Sequence, residues 1–263
     1  PYFEDAINLD ANYAPAYREL GYLYYRANRL EQSKANYKKY LDLTAGNIPA
    51  KTRYVNALFF AGDYDEVIKN VEEVLAVDKS RGYMNRLAGY SYYEKNNYDK
   101  AFIYMEELFK TVSPELILWK DHYYTARILM KKNHGYPKLL DDLSSSEGQL
   151  QKDKSRYSAA SAAEKAKLKP ALDELTARVA KMKSDVVTAE KEINRGFQEY
   201  NKVLEMKPQD RGVISEMASY YNTFRQYDKA AKTMGKLIDP TKDDYDAYMR
   251  VARAFYNGEN YKS

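Results

Sequence analysis

The sequence predicts an all-α protein, a solenoid of helix-turn-helix repeats with one long helical hairpin inserted. Three observations predict it. Ser33, Val67 and Ala101 stand 34 residues apart, as do Gly196 and Ala230. Turn-forming residues recur in the same phase, as Asn28-Arg29, Gly62-Asp63, Asn96-Asn97 and Arg225-Gln226. The phase then breaks between Ala101 and Gly196, a spacing of 95, or one period plus about sixty residues.

The elements follow in order. Residues 1–13 read as the second helix of a truncated repeat. Repeats follow at 14–47, 48–81 and 82–115. A repeat at 116–210 is interrupted by a helical insertion at about 137–192. A further repeat occupies 211–244, and 245–263 is the first helix of another truncated one. Both ends look cut, since Pro1-Tyr2-Phe3 opens directly into a helical pattern and Tyr261-Lys262-Ser263 stops where a helix should begin. Pro15, Pro49, Pro114, Pro208 and Pro240 fall at helix starts or between units, where a missing N–H costs nothing.

Within each unit the small residues Gly21, Gly89, Ala218 and Ala252 allow a neighbouring backbone close. Tyr24, Tyr92, Tyr221 and Phe255 follow three residues later to wedge between the paired helices. No unit buries its apolar face alone, so stacking supplies the core. In the insertion, Ser144-Ser145-Ser146 reads as a loop and Lys169-Pro170 as a second break. An apolar stripe from Leu172 through Leu175, Val179, Met182, Val186, Ala189, Ile193, Gly196, Tyr200 and Val203 predicts a helix over about 171–206. Its antiparallel partner is expected near 147–168, giving a spur. The stripe either closes that hairpin or makes a coiled-coil contact with another protein.

The pattern resembles the tetratricopeptide repeat (TPR). Tyr17, Leu20, Gly21, Tyr24, Ser33, Tyr37, Tyr40 and Ala45 match its consensus, and Tyr248, Val251, Ala252, Phe255 and Tyr261 match the first half of another copy. The second repeat departs from it, with Lys51, Tyr54 and Val55 at the aromatic-Leu-Gly positions. The resemblance implies a right-handed superhelix whose first helices line a concave groove. Carried over by phase, the groove residues are Arg18, Tyr22, Tyr25 and Arg26, then Asn56 and Phe59, then Tyr83, Arg86, Tyr90 and Tyr93, and last Arg253 and Tyr256. Thr52, Phe60 and Met249 share the phase. TPR members that bind chaperone C-termini carry a clamp of Lys and Asn. Arg18, Tyr22 and Arg53 stand at those positions here, so that activity is disfavoured.

Composition sets the remaining bounds. The chain has 263 residues and 28 Tyr, more than its Leu content, with 11 Gly, 8 Pro, no Cys and a net charge of +4. That charge is too mild to argue for nucleic acid, no apolar run is long enough to span a membrane, and disulfides or thiolate metal sites are excluded. His122 and His134 lack a ligand at i+3 or i+4, and Asp121-His122, as chain neighbours on a helix, do not face each other. Acidic pairs such as Asp141-Asp142 and Asp243-Asp244 read as surface or cap residues. Neither catalytic nor metal residues nor a cofactor are expected.

Tyr and Arg combine apolar area with a polar end, so an Arg-Tyr ladder suits a peptide bearing carboxylates. The leading expectation is a non-catalytic scaffold that binds a peptide or protein partner. One alternative is an assembly module that oligomerises through the spur and solenoid ends, and another is carbohydrate stacking on tyrosine faces. Some of the tyrosines are equally expected to pack only between helices. The composition resembles Bacteroidota-type cell-envelope TPR chains, which favours the periplasm over the cytoplasm.

Overall fold

A computed structural model describes residues 2–238 and 245–260. The described residues form helices α1 (Tyr2–Leu9), α2 (Ala14–Arg26), α3 (Leu30–Leu43), α4 (Ile48–Ala61), α5 (Tyr64–Val77), α6 (Met84–Glu94) and α7 (Tyr98–Thr111), then α8 (Trp119–Lys132), α9 (Tyr136–Ala159), α10 (Ala162–Met206), α11 (Arg211–Thr223), α12 (Tyr227–Gly235) and α13 (Tyr245–Asn260). Only a 3-10 turn, Pro114–Leu116, interrupts the series. Pro240, Asp243, Asp244 and Tyr261 lie outside the described residues, as does the side chain of Phe255.

The chain divides into two compact units, Pro1–Tyr124 and Thr125–Ser263. In the first, α2 pairs with α3, α4 with α5 and α6 with α7, and α3 packs against α4 as α5 does against α6. The period is visible in the helix starts at Leu30, Tyr64 and Tyr98. It is equally visible in the turn between paired helices, which needs one left-handed residue. Asn28, Gly62, Asn96 and Arg225 supply it, at φ of 57°, 85°, 58° and 59°. Asn and Gly adopt that conformation readily and Arg less so; the Arg225 side chain makes a two-pronged ion pair to Asp141, both contacts 2.7 Å.

Helix starts have local causes. Asn47 accepts from the Ala50 N–H at 2.9 Å, Asn97 from Lys100 at 3.2 Å and Asp210 from Val213 at 3.1 Å. The paired helices approach closely where the consensus requires it. A Cβ on Gly21 would lie 3.0 Å from the Tyr37 ring, and one on Gly89 2.6 Å from Met105 Sδ. Ser33, at an alanine position of the repeat, stays buried because its hydroxyl donates to the Gly21 carbonyl at 2.8 Å. Val55, Leu58, Val67, Val71, Val74, Met84, Leu87 and Ala88 form one core shared by α4, α5 and α6. Each buried Val, Leu or Met among them contributes roughly 1.5–3 kcal/mol, and this core is shared between neighbouring repeats rather than held within one.

The unit boundary falls inside α8, and in the second unit the end of α8 at Met130 lies against the C-terminal part of α10, the two helices expected to make the interrupted repeat. A Cβ on Gly196 would meet Met130 Cε at 2.7 Å, which shows the close approach. Between them α9 and the rest of α10 form the antiparallel spur. Two expectations are corrected here. Ser144-Ser145-Ser146 lies inside α9 rather than in a loop, and Pro170 lies inside α10 rather than ending it. The chain reverses instead at Ala160-Ser161. There Ser161 and Glu164 form a capping box, a stronger helix start than the proline is a stop. The spur is closed by Leu150, Leu175 and Val179, with Leu143 and Leu172 against them. Its root is fixed by Lys132 and Asn133 to Glu192 (2.7 and 2.9 Å) and by Tyr136 to Glu190 (2.8 Å).

Candidate functional site

The groove-phase side chains of α2, α4 and α6 all belong to the first unit, and they divide into two environments. Between α2 and α4 lies a cleft of about 380 Å³ lined by Tyr22, Tyr25, Tyr37, Arg53, Asn56, Ala57 and Phe60. Tyr22, Tyr25 and Phe60 are 44%, 36% and 46% exposed. The Tyr25 and Phe60 rings pack 4.9 Å apart, and Arg26 donates to the Tyr22 hydroxyl at 3.0 Å. Tyr37 forms the buried floor. Burial pushes its phenol up, while the adjacent Arg53 guanidinium pulls it the other way.

Two cations stand at the cleft, while the acid that acts on Tyr37, Glu19, is paired with Arg18. Arg53 is exposed and, among the described residues, has no carboxylate partner, and Arg26 meets only Tyr22. Asn56 turns one N–H back to the Thr52 carbonyl at 2.8 Å. Arg18 leaves the series, because it is drawn to the neighbouring Glu19 at 2.7 Å.

One repeat further on, the same residue types are used internally. Arg86 donates to the two carboxylate oxygens of Asp121 at 2.6 and 2.7 Å and to the Leu116 carbonyl at 3.0 Å. The Tyr90 hydroxyl donates to Asp121 at 2.7 Å, and so does the Leu118 backbone N–H. Asp121 is fully buried. Burial first, and then the carboxylate, push the Tyr90 phenol well above its ordinary value. Tyr90 also stacks on Tyr124 with centroids 3.8 Å apart, and Tyr93 meets Tyr124 and Tyr98. Tyr90 and Tyr93 are buried. Arg86, Tyr90 and Tyr93 therefore hold the fold together where the sequence expectation set them on an open groove. The Arg86 charge and the Tyr90 hydroxyl are already satisfied.

The remaining expected residues are placed as follows. Phe59 is half-buried and bridges the two environments, with rings of Phe60 at 5.7 Å and Tyr90 at 6.1 Å. Tyr83 stands at the residue before α6, partly exposed, its hydroxyl accepting from Arg81 at 3.2 Å. Arg253 and Tyr256 are exposed on α13 in the second unit. Arg253 lines a separate hollow of about 480 Å³ with Tyr245, Asp246 and Met249. Arg53 and Tyr37 were not anticipated as cleft residues. Arg53 was legible as a cation at a clamp position, whereas Tyr37 matched the packing consensus and concealed its second role.

No group of His, Asp or Glu suited to a metal ion occurs among the described residues, and His122 stacks on Phe109 with centroids 5.3 Å apart. None of the described helices is long and apolar enough to cross a membrane.

No family model and no curated protein matches the chain. Among solved structures it is similar to YrrB, a TPR protein with an unusual peptide-binding site. The TM-score is 0.51 at 16% identity, covering 95% of this chain and 97% of that one. It is also similar to PilF of Pseudomonas aeruginosa, with a TM-score of 0.49 and 14% identity over 94% and 88% of the two chains. The 34-residue phase of helix starts and left-handed turns in the first unit, together with the likeness to YrrB, gives the chain the tetratricopeptide-repeat fold.

Proposed function

We propose that the chain is a non-catalytic scaffold whose α2–α4 cleft binds a peptide segment bearing carboxylates beside apolar or aromatic side chains. The observation that carries this reading is Arg53, a guanidinium without a carboxylate partner among the described residues, set among exposed aromatic rings. Such a guanidinium can form a two-pronged, charge-assisted contact with a carboxylate, and the rings supply apolar area at low entropic cost. The same fold carries a peptide-binding site in YrrB, which supports the reading.

The register explains why this cation is unmatched. Arg86 finds Asp121 on the next first helix, 35 residues on. The equivalent step from Arg18 reaches Arg53, a second cation. The first two repeats therefore lack the acid that closes the same line one repeat later.

The test is selection from a display library of short random peptides against the chain. The expected outcome is enrichment of Asp and Glu, with binding lost in Arg53→Gln and weakened in Phe60→Ala. Selected peptides that bind Arg53→Gln as well as the parent would remove the cleft from this role. Oligomerisation through the spur gains no support, because Val187 is the one large apolar side chain strongly exposed among the described residues of 136–192.

A further inference from the structure

The spur has a different character at its tip from its root. Its apolar seam ends at Leu150, Leu172 and Leu175, and beyond it no residue from 151 to 171 is buried. Over 152–169 the chain carries six basic residues, Lys152, Lys154, Arg156, Lys165, Lys167 and Lys169, against two acidic ones, Asp153 and Glu164. That local excess equals the net charge of the whole chain. Both acids are engaged, Asp153 by Gln149 at 2.9 Å and Glu164 in the capping box. Lys169 has a carboxylate within reach, Asp173 at 3.2 Å, and Lys165 lies over the Tyr157 ring. Lys152, Lys154, Arg156 and Lys167 have no ion-pair partner among the described residues.

The placement of these cations identifies the surface they fit. On each helix they recur at every second residue, about 200° apart around the axis. The outer two of each set share one face (i, i+4) and the middle one stands on the opposite face, so cations sit on two sides of each helix near the tip, a crown rather than a stripe along a single face. A stripe would suit a linear polyanion lying along the spur. A crown suits a flat anionic surface met end-on. Five of the six are lysines, whose mobile point charges follow laterally disordered phosphates without fixed two-pronged geometry. The apex between the helices is small, with Ala159, Ala160, Ala162 and Ala163 flanked by the amphipathic ring of Tyr157, so headgroups meet no bulky obstruction. From Ala162 to Glu192, α10 carries this crown roughly 45 Å along its axis from the point where the repeat resumes.

We infer that the spur tip docks end-on against a bilayer surface rich in acidic phospholipids. The attraction is electrostatic, acts within about a Debye length and needs no inserted segment. This surface is separate from the α2–α4 cleft and does not depend on it.

The experiment is co-sedimentation of the 263-residue chain with vesicles of phosphatidylcholine alone or with about 30% phosphatidylserine, at low salt and at about 0.5 M NaCl. The variant carries Lys152→Gln, Lys154→Gln, Lys165→Gln and Lys167→Gln, which keeps helix propensity; far-UV circular dichroism checks its fold. The expected result is binding to the acidic vesicles only, lost at high salt and weakened about tenfold or more in the variant. Equal partition onto neutral vesicles, unchanged binding by a folded variant, or tighter binding to a duplex DNA oligonucleotide than to acidic vesicles would each overturn the inference.

Discussion

Asp121 offers the sharpest test of how the third repeat is fastened. Its carboxylate accepts from Arg86 Nε at 2.6 Å, and from Arg86 Nη2, the Tyr90 hydroxyl and the Leu118 N–H at 2.7 Å each. The carboxylate is fully buried and the Arg86 side chain only 17% exposed, so water can replace little of this. Asp121→Asn keeps the shape but turns one acceptor oxygen into a donor. It leaves Arg86 Nη2 and the Leu118 N–H facing another N–H, and strips the guanidinium of its counter-charge. Removing one partner of a buried ion pair costs about 3–5 kcal/mol, and this variant should lose about that much.

Urea unfolding followed by circular dichroism measures the total loss. Hydrogen exchange in α6 and in residues 119–124 shows where it falls. The control is the double variant Arg86→Met with Asp121→Leu, which removes both charges and should recover part of the loss, while the Tyr90 hydroxyl and the Leu118 N–H lose their acceptor. Tyr90→Phe alone should cost about 1–2 kcal/mol, because it takes away a donor and leaves the guanidinium contacts intact. A loss below about 1 kcal/mol in Asp121→Asn, or a double variant as unstable as the single one, would refute the reasoning.

Two further outcomes follow from local geometry. Gly148 sits inside α9 with no neighbouring heavy atom within 4 Å of where an added methyl group would stand, so Gly148→Ala should stabilise by about 0.5–1 kcal/mol in thermal melts; an unchanged or lower midpoint would contradict the helical assignment of the Ser144–Gly148 stretch. The hydrogen bonds from Arg225 hold the Asp141 carboxyl below its usual range, a depressed folded-state value. Its contribution is then fully present above the unfolded value of about 4 and is lost as pH falls through the lower folded one. The stability gap between the parent and Asp141→Asn should therefore be constant near neutrality and close under acid; a gap that widened under acid would exclude this pair as its source.

Much of the architecture was legible because period and packing are the same fact. A 34-residue phase fixes helix starts at Leu30, Tyr64 and Tyr98 and the left-handed positions at Asn28, Gly62 and Asn96. The spur's interior was harder to read, since Ser144-Ser145-Ser146 and Pro170 are turn signals wherever no partner helix opposes them. In α9 and α10 the seam of Leu143, Leu150, Leu172 and Leu175 outweighs them, and that seam exists only once the two helices are paired. The cleft was partly legible. Phase alone puts Tyr22, Tyr25 and Asn56 on its walls, but it cannot separate Arg26, which meets only a tyrosine, from Arg86, which meets a buried acid. That distinction depends on residue 121, a full repeat away.

The same register gives a way to convert one environment into the other. Arg86 and Asp121 are 35 residues apart, and Arg18 and Arg53 repeat that relation one step before the second repeat's own. Arg53→Asp would place an acid where the third repeat's fastening has one, opposite a cation already present. Arg18 is 41% exposed and shared with Glu19, so the new pair should add less than about 1 kcal/mol to stability. Its effect on recognition should be large, because the cleft exchanges its unmatched positive charge for a negative one among the same aromatic rings. Peptides selected for Asp and Glu should lose binding to Arg53→Asp altogether, and Lys- or Arg-bearing peptides should take their place. Thermal melts and fluorescence anisotropy with both peptide classes read the two effects separately. Continued preference for acidic peptides in a folded Arg53→Asp would show that the charge at residue 53 does not set what the cleft accepts. A loss of preference with unchanged stability would locate the selectivity of this scaffold in a single side chain, which the repeat positions but does not need for folding.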